Sequence, residues 1–461
     1  MTATGRRVGI GFVFRYAPTM MLVLRRRFAE PLCFWLLAVA VFSAFALPNR
    51  TQFGPDEAMH FMTVAFYYTQ QRMPRADDPA MLLGGQIHQP PLYYALSAVA
   101  LHGRDGLITA VGNLKPVRSS QQAQPTRLLM KHAEPEKAIN RAADQPDRVR
   151  FLRFFWIPFN ALTIVLTLLT GRLLFPVIPA IARTAAILHL FLPQFGFISS
   201  VINNDHLANL IVSLLIYETV RVFRSTPPTL HTAIRIGIVS ALCFWIKLTA
   251  LLWVPMLFSA LFLRSRARLI HVSTSAAIMS AFGAPVWIYN LMVWDHPFAF
   301  TILHRFHRIL FSPRTLTDLS PGFTYQTFFG AFGPTAAYRL DPVLYSCYFL
   351  ILLLAVAGYV RSPVSPDPVD RRDCRWLRFF LLSGIALGVA SLIHYSLEML
   401  GGDQGRYLFT GLSAVSLLAA EGLYRLSPRS RADLVSTLIA SGYILLWFRA
   451  YTDSWLPILP R

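Results

Sequence analysis

The fold is decided by residues 341–360, DPVLYSCYFLILLLAVAGYV, which after Asp341 carry no charged side chain through Val360. About 20 apolar residues in helical form cross the ~30 Å hydrocarbon core of a bilayer. Only helices or closed barrels satisfy their backbone groups in lipid. The run is continuous rather than alternating, so it reads as a helix. Similar runs lie at about 31–48, 152–170, 180–201, 206–222, 232–247, 249–263, 270–293, 377–397, 407–424 and 433–451. The expected fold is therefore all-α, a polytopic transmembrane helical bundle of about 11 spans. Composition agrees: 54% of the 461 residues are hydrophobic and 14% charged, with mean hydropathy +0.46. A soluble chain would carry roughly a quarter charged residues.

The net charge of +20 does not point to nucleic acid, because the basic residues sit in short clusters beside apolar runs. Arg25–Arg27, Arg221 with Arg224, Arg264 to Arg268, Arg371 to Arg378, and Arg425 to Arg431 all fall in alternate connections. That is the pattern of cytoplasmic loops facing anionic lipid. It places the N-terminus in the cytoplasm and the C-terminus outside. Residues 1–30 form a basic N-terminal cytoplasmic segment, and 31–461 one integral-membrane domain. Ala44-Phe45-Ala46 resembles a signal-peptide cleavage site, but the apolar run before it is longer than a signal core, so it reads as an uncleaved first helix. Cys33, Cys243, Cys347 and Cys374 have no paired spacing and read as small core hydrophobes.

Two outer segments exceed plain turns: a long extracytoplasmic loop at 49–150, expected to carry juxtamembrane helices, and a second at 294–340. The Pro-rich stretch from Pro363 to Pro368 reads as an inner linker.

The polar motifs gather on this outer face. Gly54-Pro55-Asp56-Glu57-Ala58-Met59-His60-Phe61 puts Asp56 and His60 one helical turn apart, suited to a general base or to holding a divalent cation such as Mg or Mn through Glu57 and His60. The plain alternative is helix initiation, with Pro and acids in a first turn. Gln86-Ile87-His88-Gln89-Pro90-Pro91 offers donors to a sugar or phosphate, or is a rigid turn entering an interfacial helix. Asp205, in Asn203-Asn204-Asp205-His206, is an acceptor-positioning group or an ordinary cap. Lys247, alone in its apolar surroundings, is a phosphate clamp or a snorkelling side chain. Gly401-Gly402-Asp403-Gln404-Gly405-Arg406-Tyr407 permits close backbone approach and offers a guanidinium fork, or is a flexible turn with an interfacial anchor. Trp287 to Pro297 reads mainly as an aromatic belt. Scattered structural polar residues would divide between the two faces, whereas these share one.

Pro55-Asp56-Glu57 followed by His60-Phe61 resembles the signature of the DUF2142 family of bacterial membrane proteins. His88-Gln89-Pro90-Pro91-Leu92-Tyr93-Tyr94, Asn203-Asn204-Asp205, Lys247 with Thr249, and Gln404-Gly405-Arg406-Tyr407 continue it in order, over about residues 50–425. Ala58 departs from the pattern, where the family usually has Pro. The family is similar to the GT-C superfamily of glycosyltransferases, which use lipid-phosphate-linked sugars on the outer membrane face. The resemblance implies a bacterial inner-membrane enzyme with a polyprenyl-phosphate-linked sugar as donor and a cell-surface glycan or lipid as acceptor. Asp56, with Glu57 as its rival, matches the catalytic base. Lys247 and Arg406 would bind the donor phosphate, and His60, His88, Gln89, Asp205 and Asp403 would position the acceptor. A flippase or transporter of lipid-linked sugars is the alternative, and a polymerase or ligase joining whole glycans is a third reading. A transporter should carry polar groups near the bilayer midplane, and the mid-span positions read as nearly all apolar.

Overall fold

The computed structural model describes residues 11–75, 78, 86, 88–113, 145–224, 227–297, 315–361, 368–398, 402–427 and 432–459. Ile87, Gly401, Arg429, Arg431, most of the inner linker and parts of both long outer loops lie outside the described residues.

The first helix, α1 (Gly11–Ala46), runs without interruption from the basic N-terminal segment into the first span. The first outer loop carries the expected juxtamembrane helices, α2 (Glu57–Gln70) and α3 (Leu92–Asn113). Next come α4 (Pro146–Leu174), α5 (Pro179–Leu190), the short α6 (Pro193–Ile198) and α7 (Asp205–Arg224). Asp205 in the first turn of α7 and Arg221 and Arg224 in its last complement the helix dipole. Beyond it lie α8 (Leu230–Ile246), α9 (Val254–Arg264) and α10 (Arg268–Trp294). The second outer loop holds α11 (Pro321–Phe329) and a two-residue antiparallel ribbon, Ala331–Phe332 with Tyr338–Arg339. The chain closes with α12 (Pro342–Arg361), α13 (Pro368–Glu398), α14 (Leu412–Arg425) and α15 (Ala432–Arg449).

Eight helices among the described residues are long and apolar enough to cross a membrane. The other three expected spans are covered by shorter pieces, for local reasons. Residues 180–201 break at Phe191-Leu192 because Pro193 has no N–H to continue α5 and instead starts α6. Residues 232–247 and 249–263 part at Lys247, whose extended backbone (φ −165°, ψ 128°) ends α8 and opens a 3₁₀ turn, Leu248–Trp253.

The helices pack through two apolar cores. One gathers around Trp156, Leu215, Ile236 and Leu377, the other around Phe42, Phe195, Phe332 and Trp455. Trp35 donates to the carbonyl of Pro158, pinning α1 to α4 (3.0 Å). Helices α12 and α14 cross at Gly358 and Gly422, where a Cβ on Gly358 would lie 1.9 Å from the Gly422 carbonyl oxygen. Only glycine allows that approach. Phe349, Leu353, Val356 and Val360 stay exposed on α12, as do Ile270, Phe282 and Met292 on α10, the faces a lipid-embedded bundle turns outward.

Charge divides between the two ends of the bundle. At one end Glu218 pairs with Arg221 and Arg235, Glu421 with Arg378 and Arg425, and Glu30 with Arg172 and Arg183. The start of α7, with Asp205, lies toward the other end, about 20 Å from Glu218 along the same helix at 1.5 Å rise per residue. Between them runs a row of neutral polar side chains, which corrects the expectation of an apolar mid-span. Asn160 meets Ser199, Thr167 meets both His189 and Ser413, and Ser413 meets Ser213. Single Ser, Thr, Asn and His residues are invisible to a hydropathy window, yet here several helices turn them toward one another.

Candidate active site

Asp56 sits where a helix cap would be, immediately before α2, but its side chain makes no capping hydrogen bond. Its backbone is left-handed (φ 58°, ψ 5°), a conformation Asp tolerates better than most residues at a cost of about 1–3 kcal/mol. The carboxylate instead accepts a hydrogen bond from Arg406 Nη2 at 2.7 Å. Burial alone would raise the Asp56 carboxyl, but the Arg406 guanidinium, followed by His60, outweighs it and holds the acid below its ordinary range. Helix initiation therefore does not account for this side chain.

Arg406 lies in a 3₁₀ turn, Gly405–Gly411, and is itself positioned: Nε donates to Gln404 Oε1 at 2.7 Å, and the guanidinium lies 5.1 Å from the Tyr407 ring centroid. Gly405 has a reason to be glycine, since a Cβ there would lie 2.2 Å from the Thr324 carbonyl oxygen on α11. Asp403 belongs to that docking. Its carbonyl accepts from Thr324 Oγ1 at 2.8 Å, and the Gly405 amide donates to Thr327 Oγ1 at 2.7 Å.

Lys247, at the break after α8, forms an ion pair with Asp205 at the head of α7. Its ammonium also lies 6.0 Å from the Tyr407 ring centroid, so one aromatic ring faces both cations. These groups line a cavity of about 420 Å³ with Asp56, His60, His88 and Gln89. His60 shares a 2.8 Å hydrogen bond with Tyr94, and burial pushes its imidazole down to about 3. His88 accepts from the Gln89 amide at 3.1 Å and is pushed down to about 4 by burial and then by Lys247. Asn204 donates to Gln89 at 3.1 Å, tying the first outer loop to the head of α7.

Glu57 and Asp403 are outside this lining. Both Glu57 oxygens are engaged in the interior. Arg153 donates Nε to one at 2.7 Å and Nη2 to the other at 2.6 Å, while the Ile202 and Gly54 amides add bonds of 3.0 and 3.2 Å. Arg153 also donates to the Asn49 and Arg50 carbonyls, so this pair fixes the entry of the outer loop. The aromatic belt expected at Trp287 to Pro297 likewise stands apart from the cavity, and Tyr289 donates to the Pro74 carbonyl.

The opposite wall comes from α13, through Gly388, Ser391, His394, Tyr395 and Glu398. The spacing of the last four marks one helical face, a polar stripe at the end of an otherwise apolar span. That was the signal to read. Tyr395 meets Tyr407 edge to face, with ring centroids 5.4 Å apart. A second, apolar cavity of about 340 Å³ shares Gly388 and Thr410 with the first and is lined by Leu188, Trp253, Phe328, Ile385 and Val415.

This architecture has a solved counterpart. ArnT from Cupriavidus metallidurans bound to undecaprenyl phosphate matches over 96% of this chain and 68% of its own, with TM-score 0.51 and 14% identity. The fold is GT-C-like. Archaeal oligosaccharyltransferase AglB from Archaeoglobus fulgidus, in complex with an inhibitory peptide and a dolichol-phosphate, matches over 92% of this chain and 55% of its own, with TM-score 0.47 and 13% identity. No family model and no curated protein matches the chain, so the DUF2142 resemblance stands on its motifs alone.

Proposed function

We propose that the chain is an integral-membrane glycosyltransferase that moves a sugar from a polyprenyl-phosphate donor to an extracytoplasmic glycan or lipid acceptor. One observation carries the reading: Asp56, Lys247 and Arg406, from three distant parts of the chain, line one cavity that adjoins an apolar one. A polar chamber meeting an apolar slot between helices suits a ligand with a charged head and a hydrocarbon tail. The ArnT structure that shares this fold holds undecaprenyl phosphate, which makes that lipid the first carrier to test.

In this mechanism Asp56 takes the proton of an acceptor hydroxyl, whose oxygen attacks the anomeric carbon with inversion. The bond to the phosphate oxygen breaks, and Lys247 and Arg406 stabilise the charge that develops there. Asp56 is favoured over Glu57 because it faces the cavity, whereas Glu57 has both oxygens occupied by Arg153 and backbone amides. His88, Gln89 and Asp205 line the chamber where the acceptor would be positioned, and Asp403 acts through the Arg406 turn. The donor set does not fit a divalent cation at Glu57 and His60, since Glu57 is consumed by its ion pair and His60 is engaged with Tyr94. No step is therefore routed through a metal. The site end of the bundle is assigned to the non-cytoplasmic side on the charge bias of the loops.

A carrier for lipid-linked sugars is the competing reading, and the neutral polar row across the bundle speaks for it. Purified protein in proteoliposomes, given radiolabelled sugar on a panel of polyprenyl phosphates, separates the two. Labelled acceptor product that disappears with Asp56→Asn supports the enzyme. Transbilayer movement of intact donor without product would replace it with the carrier.

A further inference from the structure

Among the described residues, the ion-paired carboxylates Glu57, Glu218, Glu421, Asp56 and Asp205 fall into two kinds. Glu57, Glu218 and Glu421 each accept from two or more donors and are locked in place. Asp56, with 34% of its side chain exposed, and the buried Asp205 both lie on the cavity wall, and among the described residues each holds a single side-chain partner: Arg406 for Asp56 and Lys247 for Asp205. Neither is pinned by a capping bond or a second base, so each can leave its cation without stranding other groups.

Their partners are the two cations proposed to receive the donor phosphate. Arg406 has a side-chain exposure of 2% and Lys247 of 14%, so neither can remain without a nearby anion at small cost. In the ligand-free protein that anion comes from the chain itself. A phosphate entering the chamber brings its own negative charge to the same two cations and competes for their N–H groups.

We propose that Asp56 and Asp205 are built-in counter-anions that the donor phosphate displaces, so that the Asp56 carboxylate is released toward the acceptor only in the donor-loaded site. This rests on the reading of the cavity as a donor-phosphate site. It orders the reaction: the donor enters first and frees the base, and the acceptor is activated second.

The test is binding of undecaprenyl phosphate to the full-length protein in nanodiscs of zwitterionic lipid, without sugar or acceptor. Lys247→Gln and Arg406→Gln should weaken binding. Asp205→Asn and Asp56→Asn should tighten it, by about tenfold, because each removes an internal competitor. Two carboxylate variants on different elements are used so that misfolding of one leaves the other as the test. Unchanged or weaker binding in both, with the cation variants still weakened, would overturn the exchange and keep the donor site. Binding indifferent to Lys247 and Arg406, or absent altogether, would overturn the donor site and the exchange together. Inorganic phosphate in a parallel titration separates the sources: it should compete only weakly, and affinity equal to the lipid's would overturn the lipid donor.

Discussion

Arg406 and Asp56 stand 350 residues apart in the chain and 2.7 Å apart in the structure. The contact joins the turn before α14 to the entry of α2, and closes the chamber between the first outer loop and the α13–α14 connection. It also explains the left-handed backbone at Asp56, which aims the carboxylate into the cavity rather than back onto its own helix.

The first prediction concerns that carboxylate. Asp56→Asn should lower sugar transfer by about 100-fold or more, the usual contribution of a positioned general base. The change also takes the nearby anion from the buried Arg406, so melting should fall somewhat, and transfer is compared per amount of folded protein. Transfer from a radiolabelled donor, with melting measured on the same preparation, checks it. Activity within a few-fold of wild type would remove Asp56 as the base.

Glu57 should behave in the opposite way. Removing one partner of a buried pair leaves an uncompensated charge, at a cost of about 3–5 kcal/mol. Glu57 and Arg153 have side-chain exposures of 1% and 0%. Glu57→Ala and Arg153→Ala should both lower expression and melting temperature. Removing the two together should cost less than the sum of the single changes. A stable, inactive Glu57→Ala would return Glu57 to contention as the catalytic acid.

How far the sequence could be read follows from these same residues. Asp56, Lys247 and Arg406 stood out because charged groups between long apolar runs are conspicuous, and loop charge alone grouped them on one face. The partner of Glu57 was hidden: Arg153 stands 96 residues on, inside an apolar run whose average hydropathy absorbs it. The α13 stripe was missed because a hydropathy average absorbs a His, a Tyr and a Glu at the end of a long apolar helix. The breaks at Pro193 and Lys247 were missed for a related reason, since hydropathy measures how apolar a segment is and is blind to whether its backbone continues. The polar row at Thr167, His189 and Ser413 needs tertiary structure to exist at all.

Metal dependence gives a third test. Among the described residues no group of three or more His, Cys, Asp or Glu is placed to hold a metal ion, and Glu57, Asp205 and Asp56 are each paired with a base. Transfer should therefore survive exhaustive EDTA treatment within about twofold, a change too small to represent loss of Lewis-acid stabilisation. Loss of activity restored by Mg²⁺ or Mn²⁺ would show that Asp56 or Asp205 leaves its ion pair to bind a cation.

The last prediction is a pH dependence of stability set by His60. Burial holds its imidazole at about 3, against an ordinary 6.5, so the folded protein keeps it neutral while the unfolded chain binds a proton between those values. The stabilisation is therefore complete above about pH 6.5 and is lost progressively as pH falls toward 3. Within that window each pH unit costs on the order of 1.4 kcal/mol from this one group. Melting of the protein in detergent should shift downward between pH 6.5 and 4.5. His60→Gln should start from a lower melting temperature at pH 7.5, because the hydrogen bond to Tyr94 is disturbed, but should show a shallower decline on acidification. An equally steep decline in the variant would assign the acid sensitivity to other groups.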